Sequence, residues 1–178
     1  MDSMTCRRVR ASMDAGVLED AEVLAGGVEA RSDVRRARYV EVSRDVLDVV
    51  GRHLDAQRAA IAACHGRALA GREGSGLLRY EDGGFYRTHV DRAETASWPG
   101  AARRAITVIL FLASSREVDP SGAFLGGRVR LHVEGAGAPV DIVPEEGTLV
   151  AFPAGTPHEV TPVIGGRRDA VVDWFYDA

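Results

Sequence analysis

A mainly β domain with flanking helices is the fold class this sequence predicts, and three observations carry the prediction. From Ser43 to about Ala70, apolar residues recur near helical spacing. After Gly71 the chain breaks into short β-like runs separated by turn residues. The 178 residues, 46% hydrophobic and 27% charged, have the composition of one globular domain with a sizeable core. Helices first, then an antiparallel sandwich or barrel in the same domain, is the architecture that follows.

The elements are justified in chain order. "CRRVRASM" alternates weakly and reads as a short strand. "GVLEDAEVLAGG" reads as a short helix closed by Gly26 and Gly27. "VRRARYVEV" is extended. Ser43 is placed as the N-cap of the long helix that carries Val46, Val49, Val50, Leu54, Ile61 and Cys64. "GREGSG" breaks that pattern. The β-like runs are "GLLRYE", "GFYRTHV", "AITVILFLA", "GGRVRLHVE", "APVDIV", "GTLVAFP", "HEVTPV" and "DAVVDWFY". Gly126–Gly127 suits a bulge or a sharp turn into a strand. The charged segment 91–104 is the one long loop. It reads either as an ordinary surface loop or as a lid whose Trp98 closes over a substrate, and its departure directly from Asp91 favours the lid.

The composition excludes several function classes. A net charge of −4 argues against a generic electrostatic binder of nucleic acid. All 22 basic residues are arginine, which excludes lysine Schiff-base chemistry and leaves any anion clamp to arginine. Two distant cysteines, Cys6 and Cys64, suit free thiols in a reducing compartment. The charged start "MDSMTCRRVR" has no apolar core, so no signal peptide is expected, and no apolar run approaches the ~20 residues of a membrane span. The cytoplasm is the expected location.

The chemistry begins with "FYRTHVDRA", where His89 and Asp91 sit two apart in a strand-like run and therefore share a face. With 5 histidines and 14 aspartates in the chain, chance alone gives roughly 0.4 such triplets, so the pair by itself is weak and reads more readily as a buried histidine bonded to a carboxylate than as a ligand pair. His158, after the turn in "PAGTPHEV", is a second candidate ligand. His53 and His65 lie 12 residues apart on the long helix, and His132 alternates with Arg128 and Arg130 on a polar sheet face. Two histidines, one carboxylate and open positions form the facial arrangement of non-haem Fe(II) oxygenases. Ten residues beyond His158 comes Arg168, whose planar fork can take a carboxylate in two parallel hydrogen bonds. Along a strand, Arg168 shares a face with Ala170, Val172 and Trp174, so its guanidinium can point inward.

At this point the sequence resembles the Fe(II)- and 2-oxoglutarate-dependent dioxygenases of the prolyl-4-hydroxylase-like branch. The resemblance rests on "RYEDGGFYRTHVD", "AITVILFLA", "GGRVRLH", "GTLVAFP" and "PHEVTPVIGGRRDAVVDWFYD" in that order, over about residues 77–178, with a weaker helical match upstream. It implies a double-stranded β-helix, or jelly roll, supported by an N-terminal helical part over about 1–72, all one domain. It implies His89, Asp91 and His158 as iron ligands, Arg168 for the distal carboxylate of 2-oxoglutarate with Arg167 as competitor, and Tyr80 as a helper on that carboxylate. Where the hypoxia-factor prolyl hydroxylases place another tyrosine on the cosubstrate, this chain has Phe111.

The implied reaction uses Fe(II), 2-oxoglutarate and O2, with ascorbate as an accessory reductant, and hydroxylates a C–H bond with release of succinate and CO2. Asp91 favours hydroxylation over the halogenation seen where a small residue replaces the carboxylate. The expected substrate is a small amino-acid-like metabolite or a peptidyl, prolyl-type one, without nucleic acid or membrane. The alternative from another class is a non-catalytic, cupin-like binding module. Arg128, Arg130 and His132 read either as a solvated sheet face or as a cationic wall for an anionic substrate group, and Phe85, Tyr86, Phe111, Phe152 and Trp174 read as core.

Overall fold

The computed structural model describes residues 1–21, 23–24, 28–29, 32–92 and 99–178. Helix α1 (Ser3–Asp14) opens the chain, capped by Asp2, whose carboxylate accepts from the Thr5 amide at 2.9 Å and the Thr5 hydroxyl at 2.7 Å. This corrects the strand expected in "CRRVRASM": Cys6, Val9 and Met13 recur at helical spacing and are the buried residues of α1, a stronger period than the weak alternation. Strand β1 (Val17–Asp20) follows, then the short pair β2 (Val23–Leu24) and β3 (Val28–Glu29), then β4 (Arg35–Arg36) and β5 (Arg38–Glu41). The helix expected over "GVLEDAEVLAGG" is therefore not formed. β1 lies antiparallel to β5, with Val17 opposite Glu41 and Asp20 opposite Arg38, and the ladder bonds outweigh the helical preference of so short a segment. Gly26 and Gly27, expected to stop that helix, lie outside the described residues.

Helix α2 (Arg44–His65) is the long helix, with Ser43 at its N-cap position. It stops before the expected Ala70 because Gly66 takes a left-handed φ of 60° and its amide closes back on the last turn. The chain then re-enters the sheet as β6 (Leu69–Arg72), β7 (Gly76–Tyr80) and β8 (Phe85–His89). After a 3-10 turn over Ala101–Arg103 come β9 (Arg104–Phe111), β10 (Leu125–Gly126), β11 (Val129–Leu131), β12 (Val140–Ile142), β13 (Leu149–Pro153), β14 (His158–Val160), β15 (Val163–Ile164) and β16 (Arg168–Asp177). Each β-like run read from the sequence contains at least one strand.

Two antiparallel sheets carry the fold. The larger runs β1-β5-β7-β16-β9-β13, with β6 also paired to β16; the smaller runs β12-β11-β14-β8-β4. Their facing surfaces make the jelly roll, and the two helices cover the outer side of the larger sheet. The strand period sorts residues between two cores. Leu77, Ile106, Val108, Leu110, Val171 and Phe175 pack with Cys6, Val9, Val50 and Leu54 of the helices. Leu78, Ile109, Phe111, Val129, Phe152 and Trp174 fill the space between the sheets. β16 is buried on both faces from Arg168 to Phe175, so its inward stripe is Arg168, Ala170, Val172 and Trp174. No helix among the described residues is long and apolar enough to cross a membrane.

Candidate active site between the sheets

β8 and β14 are antiparallel neighbours in the smaller sheet, and His89 stands directly opposite His158. Asp91 follows just past the end of β8, where its amide donates to the Ala154 carbonyl at 3.0 Å. The three side chains converge: Nε2 of His89 lies 3.5 Å from Asp91 Oδ1, and Nε2 of His158 lies 3.5 Å from Asp91 Oδ2. All three donor atoms lie within 4.8 Å of one another. That spacing is about twice a metal–ligand bond of ~2.1 Å, so one ion can touch all three.

The histidine tautomers suit a metal. Nδ1 of His89 is 2.8 Å from the Arg87 carbonyl, and Nδ1 of His158 is 2.9 Å from the Thr156 carbonyl. A carbonyl only accepts, so each Nδ1 carries the proton and each Nε2 presents a lone pair toward Asp91. Burial lowers the pKa of His158, with Asp91 partly opposing, which favours the neutral ligand form. Asp91 is buried, and burial alone would raise its carboxyl. The facing imidazoles of His89 and His158, when they also carry a proton on Nε2, outweigh this by hydrogen bonding and charge and hold it well below the usual carboxylate range. The Thr107 hydroxyl donates to Asp91 Oδ2 at 2.7 Å. Arg104 donates to the Asp91 carbonyl at 3.1 Å, grips Glu73 at 2.6 and 2.5 Å, and lies 3.6 Å over the Trp174 ring.

Arg168 shares the same cavity, which has a volume of about 410 Å³. It is 2% exposed and stands opposite Tyr80 across β16 and β7, with its guanidinium carbon 5.0 Å from the Tyr80 ring centre and 5.4 Å from that of Phe111. Nε and one terminal nitrogen of Arg168 are buried with no hydrogen-bond partner among the described residues. A buried guanidinium with unmet donors is costly, and a carboxylate ligand removes that cost. Burial lowers the Arg168 pKa, opposed by Tyr80 and Asp169. Arg167, the competitor, is turned away: it is 35% exposed and pairs with Asp14 at 2.8 Å and Asp169 at 3.4 Å. Phe111 offers Arg168 only a ring face, with no hydroxyl.

The structure separates other candidates from the cavity. Arg128 pairs with Glu117 and Asp141, and Arg130 pairs with Asp141 and Glu159, on the outer face of the smaller sheet. With His132, whose Nε2 is buried, they are absent from the cavity lining, so the solvated-face reading describes Arg128 and Arg130 and the cationic wall does not. Trp98, expected in a lid, lies outside the described residues.

Sequence reasoning missed the flank of the metal site. Tyr86, read as core, lines the cavity and stacks on His89 with ring centres 3.5 Å apart. Arg35, read only as part of an extended run, is buried over the Tyr39 and Tyr86 rings. The signal that unites them is the pairing of Arg35 with Tyr86 across β4 and β8, a register that no spacing along the chain reveals.

Residues 75–176, more than half of the chain, match the profile of the 2OG-Fe(II) oxygenase superfamily. The chain belongs to that superfamily. It is 32% identical over 176 residues to a PKHD-type hydroxylase of Acidovorax ebreus, covering 95% of this chain and 71% of the relative. A PKHD-type hydroxylase of Shewanella baltica is 29% identical over 97 residues, with 40% of its length covered. Among solved structures, a prolyl-4-hydroxylase of Pseudomonas putida superposes with a TM-score of 0.74 at 25% identity, covering 100% of this chain and 89% of that one. The fold is also that of a Trichoplax adhaerens prolyl hydroxylase solved with a hypoxia inducible factor peptide fragment, with a TM-score of 0.76 at 20% identity and coverage of 98% and 78%. This 2OG-Fe(II) oxygenase is thus a hydroxylase of the prolyl-4-hydroxylase-like branch, with Fe(II), 2-oxoglutarate and O2 as its cofactors. The binding-module alternative is not favoured.

Proposed function

We propose that His89, Asp91 and His158 bind the Fe(II), that Arg168 and Tyr80 bind the distal carboxylate of 2-oxoglutarate, and that the protein hydroxylates a C–H bond of a small amino-acid-like or peptidyl substrate. The observation that carries this reading is the meeting of three convergent donors and a buried arginine with unmet N–H groups in one cavity. When bound, iron and 2-oxoglutarate supply the oxidising chemistry, using O2 and yielding succinate and CO2 beside the hydroxylated product. The chain's part is to bind and orient. Nδ1 bonds to Arg87 and Thr156 fix the imidazole rings, Thr107 fixes the Asp91 carboxylate, and Trp174 and Val172 give the cavity apolar walls that limit water.

Residues 1–178 are read as one domain, with the helical part supporting the jelly roll. Free Cys6 and Cys64 support a reducing compartment such as the cytoplasm.

The test is an anaerobic titration of the apoprotein with Fe(II) and 2-oxoglutarate, watching the visible metal-to-ligand charge-transfer band. The band forms in the wild type, is lost in His158→Ala and weakens in Arg168→Ala. Its absence from folded, iron-supplied wild type overturns the assignment.

A further inference from the structure

The Gly126–Gly127 pair stands where the chain leaves β10 for β11, and its second member lies against the stem of Arg168. Gly127 has a left-handed φ of 60°. A Cβ built on it would lie 2.8 Å from Cδ of Arg168, 3.1 Å from the Phe124 ring and 3.2 Å from a Val163 methyl. Carbon atoms in contact stand about 3.5–4.0 Å apart, so that atom has no room. The bare backbone of Gly127 is thus the surface on which the arginine's aliphatic stem rests. The contact is made across the fold, from the turn before β11 to the first residue of β16.

We propose that Gly127 is a positioning residue for the cosubstrate: the absence of a side chain there sets where the Arg168 guanidinium stands, and so how tightly 2-oxoglutarate is held. This goes beyond the function proposed above and rests on its assignment of Arg168 to the distal carboxylate.

Three observations make the arginine, rather than its surroundings, the part that answers to residue 127. The Gly127 backbone is pinned: its amide donates to the Pro162 carbonyl at 3.1 Å, and the next amide, that of Arg128, donates to the Thr161 hydroxyl at 3.0 Å. Phe124 is fully buried and Val163 is 1% exposed, so neither has space to retreat. Arg168 has the flexible stem, and Nε and one terminal nitrogen of its head have no partner among the described residues to resist a shift. The head stands by the rings of Tyr80 and Phe111, 5.0 and 5.4 Å from their centres. A fork takes a carboxylate in two parallel bonds only when the two planes align, so a displacement of about 1 Å at Cδ spoils the second bond.

The test reads 2-oxoglutarate binding through the anaerobic charge-transfer band of the Fe(II)-loaded protein, and iron binding by competition with a chelator. Gly127→Ala should raise the 2-oxoglutarate concentration at half-saturation about tenfold, reach the full wild-type band at saturation, and leave Fe(II) affinity unchanged. Gly137 separates the contact from backbone strain, since it has a φ of 69° with nothing within 4 Å of a built Cβ. Gly137→Ala should match wild type in both measurements. Placed in Arg168→Ala, Gly127→Ala should add less than about twofold, because the group it displaces is gone. The proposal is overturned if Gly127→Ala binds 2-oxoglutarate as wild type does, if Gly137→Ala loses as much, if iron affinity falls in step, or if the same loss persists in Arg168→Ala. If Gly127→Ala does not fold, the double variant decides: a folded Gly127→Ala, Arg168→Ala protein upholds the contact, and an unfolded one overturns it. Wild-type 2-oxoglutarate affinity in Arg168→Ala alone instead sinks the assignment of Arg168, so the two failures are distinguishable.

Discussion

Arg168 and Tyr80 face each other across neighbouring antiparallel strands, and the guanidinium, 5.0 Å from the phenol ring centre, is left with buried donors unmet. The pairing fixes an arginine's fork in a buried position, which is where a charge-assisted, two-point bond to a carboxylate counts most. Arg168→Ala should therefore weaken 2-oxoglutarate binding by about 100-fold, and Arg168→Lys by about tenfold, because an ammonium lacks the fork. Tyr80→Phe should cost only about threefold to tenfold. Titrating 2-oxoglutarate into the Fe(II)-loaded variants gives the three values. Wild-type affinity in Arg168→Lys would sink the two-point reading.

Thr107 acts one step further out. Its hydroxyl donates to Asp91 Oδ2 at 2.7 Å, and both residues are buried. Partners that orient a ligand typically contribute 10–100-fold to metal affinity. Thr107→Val keeps the shape and removes only the donor, so Fe(II) affinity, measured by competition with a chelator, should fall about tenfold while the far-ultraviolet dichroism is unchanged. Unchanged iron affinity would assign Thr107 to packing alone.

The structure explains which parts of this arrangement could be read along the chain. Strand parity put Arg168, Ala170, Val172 and Trp174 on one face, and β16 places them together between the sheets because a period of two survives any tertiary context. The i, i+2 relation of His89 and Asp91 is local in the same way. What escaped was set across strands. The pairing of Arg35 with Tyr86, and the reach of Thr107 from β9 to Asp91, depend on register and sheet order rather than spacing. The helix wrongly expected over Val17–Asp20 shares that cause, whereas α1 was legible in the spacing of Cys6, Val9 and Met13. Val17–Asp20 has little structural preference of its own and became a strand because β5 offered an edge.

Beneath the larger sheet, Asp169 is 1% exposed and accepts from Arg79 at 2.9 and 3.0 Å, while Arg79 also reaches Asp14 at 2.9 Å. Removing Asp169 takes from the buried Arg79 guanidinium its two-point partner and leaves it paired with the half-exposed Asp14. Asp169→Ala should cost about 3–5 kcal/mol of unfolding free energy, read as a shift in the urea midpoint. Replacing Arg79 and Asp169 together with apolar residues of similar volume should recover much of that loss, because the desolvation of both charges is then avoided. A double variant as unstable as the single one would mean that the pair itself, and not the half-paired arginine, sets the cost.

The outer face of the smaller sheet sets a pH dependence. Hydrogen bonding from Arg130, with a further contribution from Arg128 and partial burial opposing, lowers the Asp141 carboxyl from 3.8 to about 2. A carboxyl whose folded pKa lies below its unfolded value stabilises the fold fully above the unfolded pKa and loses that contribution as pH falls through the folded one. The Arg128 and Arg130 side chains are each 37% exposed, so solvent screening reduces the contribution to about 1 kcal/mol. Asp141→Asn should thus be about 1 kcal/mol less stable than wild type at pH 6, with the gap closing between pH ~4 and pH ~2. Urea denaturation of both proteins across that range tests it. A gap that stays constant down to the acid limit would show that Asp141 acts through shape and not through its charge.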